Sequence, residues 1–369
     1  MRIAFIHDWL NGMRGGEYCL EALCEIYPDA DIYSLFHQPG KMSATIEGMR
    51  IRTSFIQKLP FVFKKYRHYL PLFPVAVEQF DLREYDLVLS ESHCVAKGVI
   101  TRPQTCHISY TFTPMRYAWD LYQDYFGGDR AKGVAGLVIP YFMNYLRLWD
   151  VAAGNRVDYF VAISEHIRQR IEKHYRRPAD MIYPPVDTAF YTPDPQTSRE
   201  NFFLVAGAFA PYKRVDIAIE ALNRLQRPLK IVGMGQDAEL LRKLAGPTIE
   251  IVEAPTNEIL RDYYRRCQAL LYPGEEDFGI MPIEAQACGT PVIAYAKGGA
   301  VETTVDGETA VWFRHQSAEA LMTAIRHFDA LSFDSSAIRA HSAKFAKLRF
   351  QREMHAYIEQ KLAEFPAKA

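Results

Sequence analysis

Leu270-Leu271-Tyr272-Pro273-Gly274-Glu275-Glu276-Asp277-Phe278-Gly279-Ile280-Met281-Pro282-Ile283-Glu284-Ala285-Gln286-Ala287-Cys288-Gly289-Thr290-Pro291-Val292-Ile293-Ala294 reads as strand, loop, helix and strand. Ala269–Tyr272 is a short apolar run, the pattern of a strand buried on both faces. Pro273-Gly274 ends it, and the loop that follows carries Glu275, Glu276 and Asp277. A helix is expected to begin near Pro282, because proline suits the first helical position, and to stop at Gly289. Thr290-Pro291 leads into the next apolar run, Val292–Ala296.

A loop of this kind lies at the carboxyl edge of a parallel sheet, where open α/β folds bind ligands. The N–H groups of Gly279, Ile280 and their neighbours would point from the helix start toward an anion. Glu276 and Glu284 add two carboxylates for the hydroxyls beside it. Phosphate plus polyol suggests a nucleotide sugar. A plainer reading also fits these residues: a first-turn glutamate favoured by the helix dipole, and a solvated acidic loop.

Upstream, Phe202–Ala206 is a further apolar run, and Gly207-Ala208-Phe209-Ala210-Pro211-Tyr212-Lys213-Arg214-Val215-Asp216 opens a helix. Lys213 at that junction can neutralise a phosphate as a point charge, or be a surface lysine on a loop. Leu229–Val232 precedes Gly233-Met234-Gly235-Gln236-Asp237-Ala238, which fits a dinucleotide fingerprint, with Glu253 near the expected place for a ribose contact. That makes an NAD-dependent oxidoreductase the rival reading. It places the fingerprint on the second strand of its domain and leaves Lys213, Glu276 and Glu284 without a task. Ile249–Val252 continues the alternation, Gly298-Gly299 marks a flexible loop, and Pro185–Asn201 reads as an interdomain linker.

The first half opens with the strand Arg2–His7, a glycine-bearing turn at Asp8–Gly16 and a helix carrying Leu20, Leu23 and Cys24. Gly15 and Gly16 would let backbone approach a phosphate, or simply make a tight turn. Tyr85–Ser90, Thr105–Thr111 and Val157–Ile163 are further strands, and Ser164 should cap a helix running to about His174. Gly48–Val77 holds Arg50, Arg52, Lys58, Lys64, Lys65 and Arg67 interleaved with aromatics, and no acidic residue. Such a segment suits an anionic membrane face, at roughly 1 kcal/mol per basic side chain near the surface. Leu137–Trp149 is apolar and is expected to be a core helix; a last helix is expected from Phe345, Met354, Ile358 and Leu362.

The chain has 369 residues, 49% of them hydrophobic, and a formal net charge of −1, which suits two α/β domains and argues against a general nucleic-acid binder. Its six cysteines show no zinc spacing and read as reduced thiols of a cytoplasmic protein. No apolar run reaches membrane-span length, and a strand rather than a signal peptide is expected at the amino terminus.

The spacing Glu276-x7-Glu284 resembles the motif of glycosyltransferase family 4, retaining enzymes of the GT-B fold. Pro211-Tyr212-Lys213-Arg214-Val215-Asp216 is similar to that family's diphosphate-binding lysine loop, and Gly15-Gly16-Glu17 to its Gly-Gly-x-Glu turn. Ile6-His7-Asp8-Trp9-Leu10, Ala96–Pro103 and Thr113-Pro114-Met115-Arg116-Tyr117 look like the WbaZ-type mannosyltransferase subgroup of bacterial O-antigen and exopolysaccharide synthesis. The resemblance implies two Rossmann-like doubly wound domains facing a cleft, at 1–190 (acceptor side) and 200–345 (nucleotide sugar), with a helix at 346–369 crossing back. It implies transfer of a hexose, most simply mannose from GDP-mannose, to a polyprenyl-diphosphate-linked glycan on the inner face of the plasma membrane, without metal or cofactor. Lys213 and Glu276 would be catalytic. Gly15, Gly16, Arg214, Gly233, Phe278, Gly279, Ile280 and Glu284 would hold the donor, and Lys58, Lys64, Lys65, Arg67 and Arg116 would face membrane or acceptor. Two positions depart from the pattern: Ala208 stands where many members have arginine, and Phe112 where the subgroup often has a histidine that contacts the donor sugar. A non-catalytic GT-B assembly partner is therefore a further reading.

Overall fold

Short apolar runs alternate with helices along most of the chain, and in the computed structural model they become two separate, wholly parallel sheets. The structure describes residues 1–126, 134–253 and 256–365. Two units result, Met1–Pro185 with Leu348–Ala369, and Val186–Lys347.

The first unit contains β1 (Ile3–His7), β2 (Asp31–Ser34), β3 (Arg50–Thr53), β4 (Leu87–Ser92), β5 (Cys106–Thr111), β6 (Tyr159–Ala162) and β7 (Ala179–Met181), in the order β3-β2-β1-β4-β5-β6-β7. β1, β4 and β5 are buried along their whole length, as strands covered by helices on both faces must be. The strand order reverses between β1 and β4, which pair with His7 opposite Glu91. Ser164 does cap the helix Glu165–Tyr175, its hydroxyl accepting from the Ile167 amide at 3.1 Å.

The second unit contains β8 (Phe203–Ala206), β9 (Leu229–Gly233), β10 (Ile249–Glu253), β11 (Leu270–Tyr272), β12 (Val292–Tyr295) and β13 (Ala310–Phe313), in the order β10-β9-β8-β11-β12-β13. Here the order reverses between β8 and β11. Such a reversal opens a crevice beyond the carboxyl ends of the two strands, because their crossover helices leave on opposite faces.

Three sequence expectations are corrected. Pro185–Asn201 is no free linker from Val186 onward. It is strapped to the second unit: the Val186 amide donates to Phe345 O, the Arg339 guanidinium to Thr188 O, and Arg265 to both the carbonyl and the hydroxyl of Thr192. The region around Leu137–Trp149 is a helix, Val134–Gly154, but only one side belongs to the core. Met143, Leu146 and Trp149 are buried, whereas Leu137, Val138, Tyr141, Tyr145 and Leu148 are exposed. The Gly48–Val77 aromatics also divide: Phe73 is buried, and Phe55, Tyr66 and Tyr69 pack against the core, while Phe61 is 72% exposed. Among the described residues no helix is long and apolar enough to cross a membrane.

The last helix, Lys347–Glu364, buries Phe350, Gln351, Met354 and Ile358. Within the first unit Gln351 donates to Ala22 O at 3.0 Å and to Glu25 at 2.7 Å. Leu348, which follows the apolar spacing in sequence, is exposed, and Phe345 is buried in the second unit instead.

Candidate functional site

β8 and β11 flank the reversal of the second sheet, and the loop after each supplies one half of a charged centre. After β8, Gly207 turns with φ +118°, and a short 3-10 turn, Pro211–Lys213, leads into the helix Val215–Leu225. Arg214 between them adopts φ +51°, a left-handed conformation that costs a non-glycine residue of order 1 kcal/mol or more. After β11, the loop 273–279 leads into the helix Ile280–Ala287, which starts on Gly279 at φ +110°. The helix therefore begins two residues before the expected Pro282 and ends on Cys288, one before Gly289.

The two loops are held together by missing side chains. A Cβ on Gly274 would lie 2.9 Å from both Lys213 Cα and Tyr212 O. One on Gly298 would lie 2.3 Å from Glu276 O, and one on Gly299 only 2.0 Å from Phe278 O. The Gly299 amide donates to Glu276 O at 2.8 Å. Gly298-Gly299 is thus a tight backbone-on-backbone contact rather than a flexible loop.

Lys213 Nζ and Glu276 Oε2 form an ion pair in which the side chains are 11% and 15% exposed. Glu276 Oε1 and the hydroxyl of Tyr272, at the end of β11, are buried without a hydrogen-bond partner among the described residues. Burial, with the Glu276 carboxylate beside it, holds the Tyr272 phenol far above its ordinary range. Glu284, one turn into the helix, accepts from the Tyr264 hydroxyl at 2.9 Å. Burial raises its carboxyl to about 7, against the opposing pull of the Tyr264 and Tyr191 hydroxyls and the Lys213 charge. Tyr191 and Tyr264 were not singled out in the sequence; nothing local marks them.

Of the other residues expected here, Gly279 and Ile280 form the helix start, with their amides beside this centre. Phe278 turns its ring into the core, 5.8 Å from that of Phe345, so its contribution is anchorage. Arg214 does not join the ion pair: its guanidinium binds Asp216 at 3.0 Å and Gln316 at 3.3 Å. Gly233 and Gly235 have packing reasons of their own. A Cβ would lie 1.9 Å from Gly207 O at the first and 2.4 Å from Phe209 O at the second. The Gly-x-Gly turn thus lets the end of β9 close on the loop after β8.

Gly15 and Gly16 open the first unit's helix Gly15–Ile26. A Cβ on Gly16 would meet the Phe112 ring at 3.1 Å and the His7 ring at 3.3 Å. Lys58, Lys64, Lys65 and Arg67 are exposed, and Arg116 is partly buried in the turn after β5. All six cysteines are free and buried.

Beneath Gly16 lies a charged cluster that the sequence reading missed, because its members lie up to 84 positions apart. His7 Nδ1 is 3.3 Å from Glu91 and its Nε2 3.7 Å from Glu17, all three buried. Burial alone would lower the His7 imidazole, but the Glu17 and Glu91 carboxylates beside it override that and raise it to about 10.

Residues 192–337 match the family model of glycosyl transferases group 1. An uncharacterised glycosyltransferase of Methanocaldococcus jannaschii is 29% identical over 175 residues, 45% of this chain and 46% of its own. The GDP-mannose-dependent alpha-(1-6)-phosphatidylinositol monomannoside mannosyltransferase of Mycolicibacterium smegmatis is 30% identical over 202 residues, 47% of this chain and 53% of its own. The chain spans about half the length of the curated relatives it matches. Among solved structures, Anabaena HepE in complex with UDP is similar at TM-score 0.71 and 16% identity, over 98% of this chain and 100% of that one. That likeness shows the fold: two Rossmann-like parallel-sheet units of the GT-B kind.

Proposed function

We propose that this chain, with its GT-B fold and group 1 domain, moves a hexose from a nucleotide sugar to a hydroxyl of a lipid-linked glycan, retaining the anomeric configuration. The observation that carries the reading is the meeting of Lys213, Glu276 and Glu284 at the strand-order reversal of the second sheet. The hard step is departure of a diphosphate. Lys213 and the amides at the start of the helix Ile280–Ala287 would stabilise its growing charge, with no metal required. Lys213 is paired with Glu276, and a bound diphosphate would take over the lysine and release the carboxylate to the sugar. The Glu276 carboxylate and the Tyr272 hydroxyl beside it are the buried polar groups that sugar hydroxyls would engage. Glu284 would take the ribose diol.

GDP-mannose is the donor we favour, because the M. smegmatis relative is GDP-mannose-dependent; the UDP bound to HepE makes uridine sugars the competitors. A thermal-shift screen of GDP-mannose, UDP-glucose, other nucleotide sugars and NAD is expected to stabilise the protein with the first. A response to NAD alone would overturn the reading, and activity abolished by EDTA would overturn metal independence.

The acceptor class we propose is supported by the first unit, where exposed Lys58, Lys64, Lys65 and Arg67 accompany exposed Phe61 and Phe63. This surface would rest on the anionic inner leaflet during O-antigen or exopolysaccharide assembly. Neutralising the four basic side chains is expected to lower sedimentation with phosphatidylglycerol vesicles by at least about tenfold, at about 1 kcal/mol for each charge. Undiminished sedimentation would reject the membrane face.

A further inference from the structure

The helix Val134–Gly154 carries two charged side chains along its length, and both are engaged within the first unit. Arg147 donates to Ala118 O at 2.9 Å, with its guanidinium over the Tyr122 ring. Asp150 is fully buried; it pairs with Lys97 and accepts from Trp119 Nε1 and the Tyr175 hydroxyl, both at 2.8 Å. Met143, Leu146 and Trp149 pack into the core, and the Trp149 indole donates to Glu78 at 2.9 Å. A Cβ on Gly98 would lie 2.4 Å from the Trp149 ring, so the helix is pressed against the 3-10 turn Ala96–Gly98. These contacts fix its rotation, and the opposite face cannot roll inward.

That opposite face carries no charge. Leu137 is 72% exposed and Tyr141 81%, and Val138, Tyr145 and Leu148 are exposed with them. A surface helix ordinarily shows charged side chains to water, and apolar groups gathered in one exposed patch mark a docking surface. The spacing indicates the kind of partner. Val138, Tyr141, Tyr145 and Leu148 are separated by three, four and three positions, the repeat that keeps a narrow seam facing a second helix. A lipid surface fits less well. Helices that lie in a membrane interface carry Lys or Arg on the polar face, and here the one Arg is held by Ala118 O.

The seam also reads aliphatic, Tyr, Tyr, aliphatic in both directions. A two-fold contact needs such self-complementarity, because the same patch serves both copies. With Leu137 beside it the seam presents on the order of 600 Å², so a pair would bury about 1,200 Å², enough for a specific interface of the smaller kind.

We propose that this face is the contact between two copies of the chain, packed antiparallel about a two-fold axis near Met143. Tyr141 then meets the partner's Tyr145, and Val138 the partner's Leu148. Tyrosine rings at the centre supply large contact area, and their hydroxyls reach the wet rim. The pairing needs neither the sugar-transfer reading nor the basic membrane face.

Sedimentation velocity of the full chain from about 1 to 100 µM, a range suited to an interface of this size, tests the proposal. The mass is expected to rise from that of one chain to that of two. Tyr141→Asp should raise the dissociation constant at least about a hundredfold, because each copy would bury an unpaired carboxylate. This side chain projects from its own unit, so thermal unfolding of the variant should match that of the dilute parent. Tyr141→Phe should still pair. All six native cysteines are buried, so introduced thiols can report orientation. A mixture of Val138→Cys and Leu148→Cys proteins should cross-link on mild oxidation. Either alone should not, since like positions lie about 15 Å apart along an antiparallel pair. A parent that stays a single chain throughout would overturn the proposal, as would Tyr141→Asp dimers as tight as the parent's. Cross-links within a single variant and none in the mixture would overturn the antiparallel arrangement. A monomer whose sedimentation with phosphatidylglycerol vesicles is lost in Tyr141→Asp would assign the face to lipid instead.

Discussion

Lys213→Ala is expected to lower kcat/KM for sugar transfer by about a thousandfold, comparable to removal of one preorganised charge-stabilising donor elsewhere. Glu276→Ala should do similar damage from the sugar side. The ion pair makes the two variants informative together. Each single change leaves a largely enclosed charge facing nothing, which costs the fold about 1–3 kcal/mol. Removing both relieves that cost, so Lys213→Ala/Glu276→Ala should be more stable than either single variant and no more active. Urea unfolding beside initial-rate kinetics separates the two readouts. Undiminished turnover in either single variant would refute its assigned role.

Glu284→Gln is expected to make the protein more stable above pH 7, by up to about 3 kcal/mol, while weakening nucleotide binding at least about tenfold. The direction follows from proton binding. The folded protein holds this carboxyl at about 7, well above the ordinary value of 4.5. Below about pH 4.5 both states bind the proton and its stabilising contribution is complete. As pH rises to 7 the unfolded state has already lost the proton, so the contribution falls, and it is gone above the folded pKa. Glutamine does not titrate, so its advantage should open between pH 4.5 and 7 and then stay level. Unfolding curves at pH 5 and pH 8 measure it; an equal difference at both would show that Glu284 is not the group responsible. Ribose recognition by the ionised form would also make nucleotide binding tighten as pH rises through 7.

Much of this was legible in sequence. Buried parallel strands leave uninterrupted apolar runs such as Val292–Ala294, and the Pro-Gly break at 273–274 marks where backbone must leave the sheet. Glu276 and Lys213 were findable because each sits at the exit of a strand. What could not be read was through-space company. Tyr191 lies in a stretch whose prolines and threonines suggest a tether, yet the Arg339 bond to its carbonyl and the burial of its ring place it under Glu284. The Asp8–His93 pair spans 85 positions. The helix Val134–Gly154 misled for another reason: it is apolar on both faces, so composition could not tell the packed side from the bare one.

The contact of Gly298 and Gly299 with the carbonyls of Glu276 and Phe278 has an evolutionary consequence. No side chain can be introduced at either glycine without prising the two loops apart, so a descendant that lost either one would have to rebuild both turns together. Substitution is easier at the exposed neighbours 208, 275 and 297.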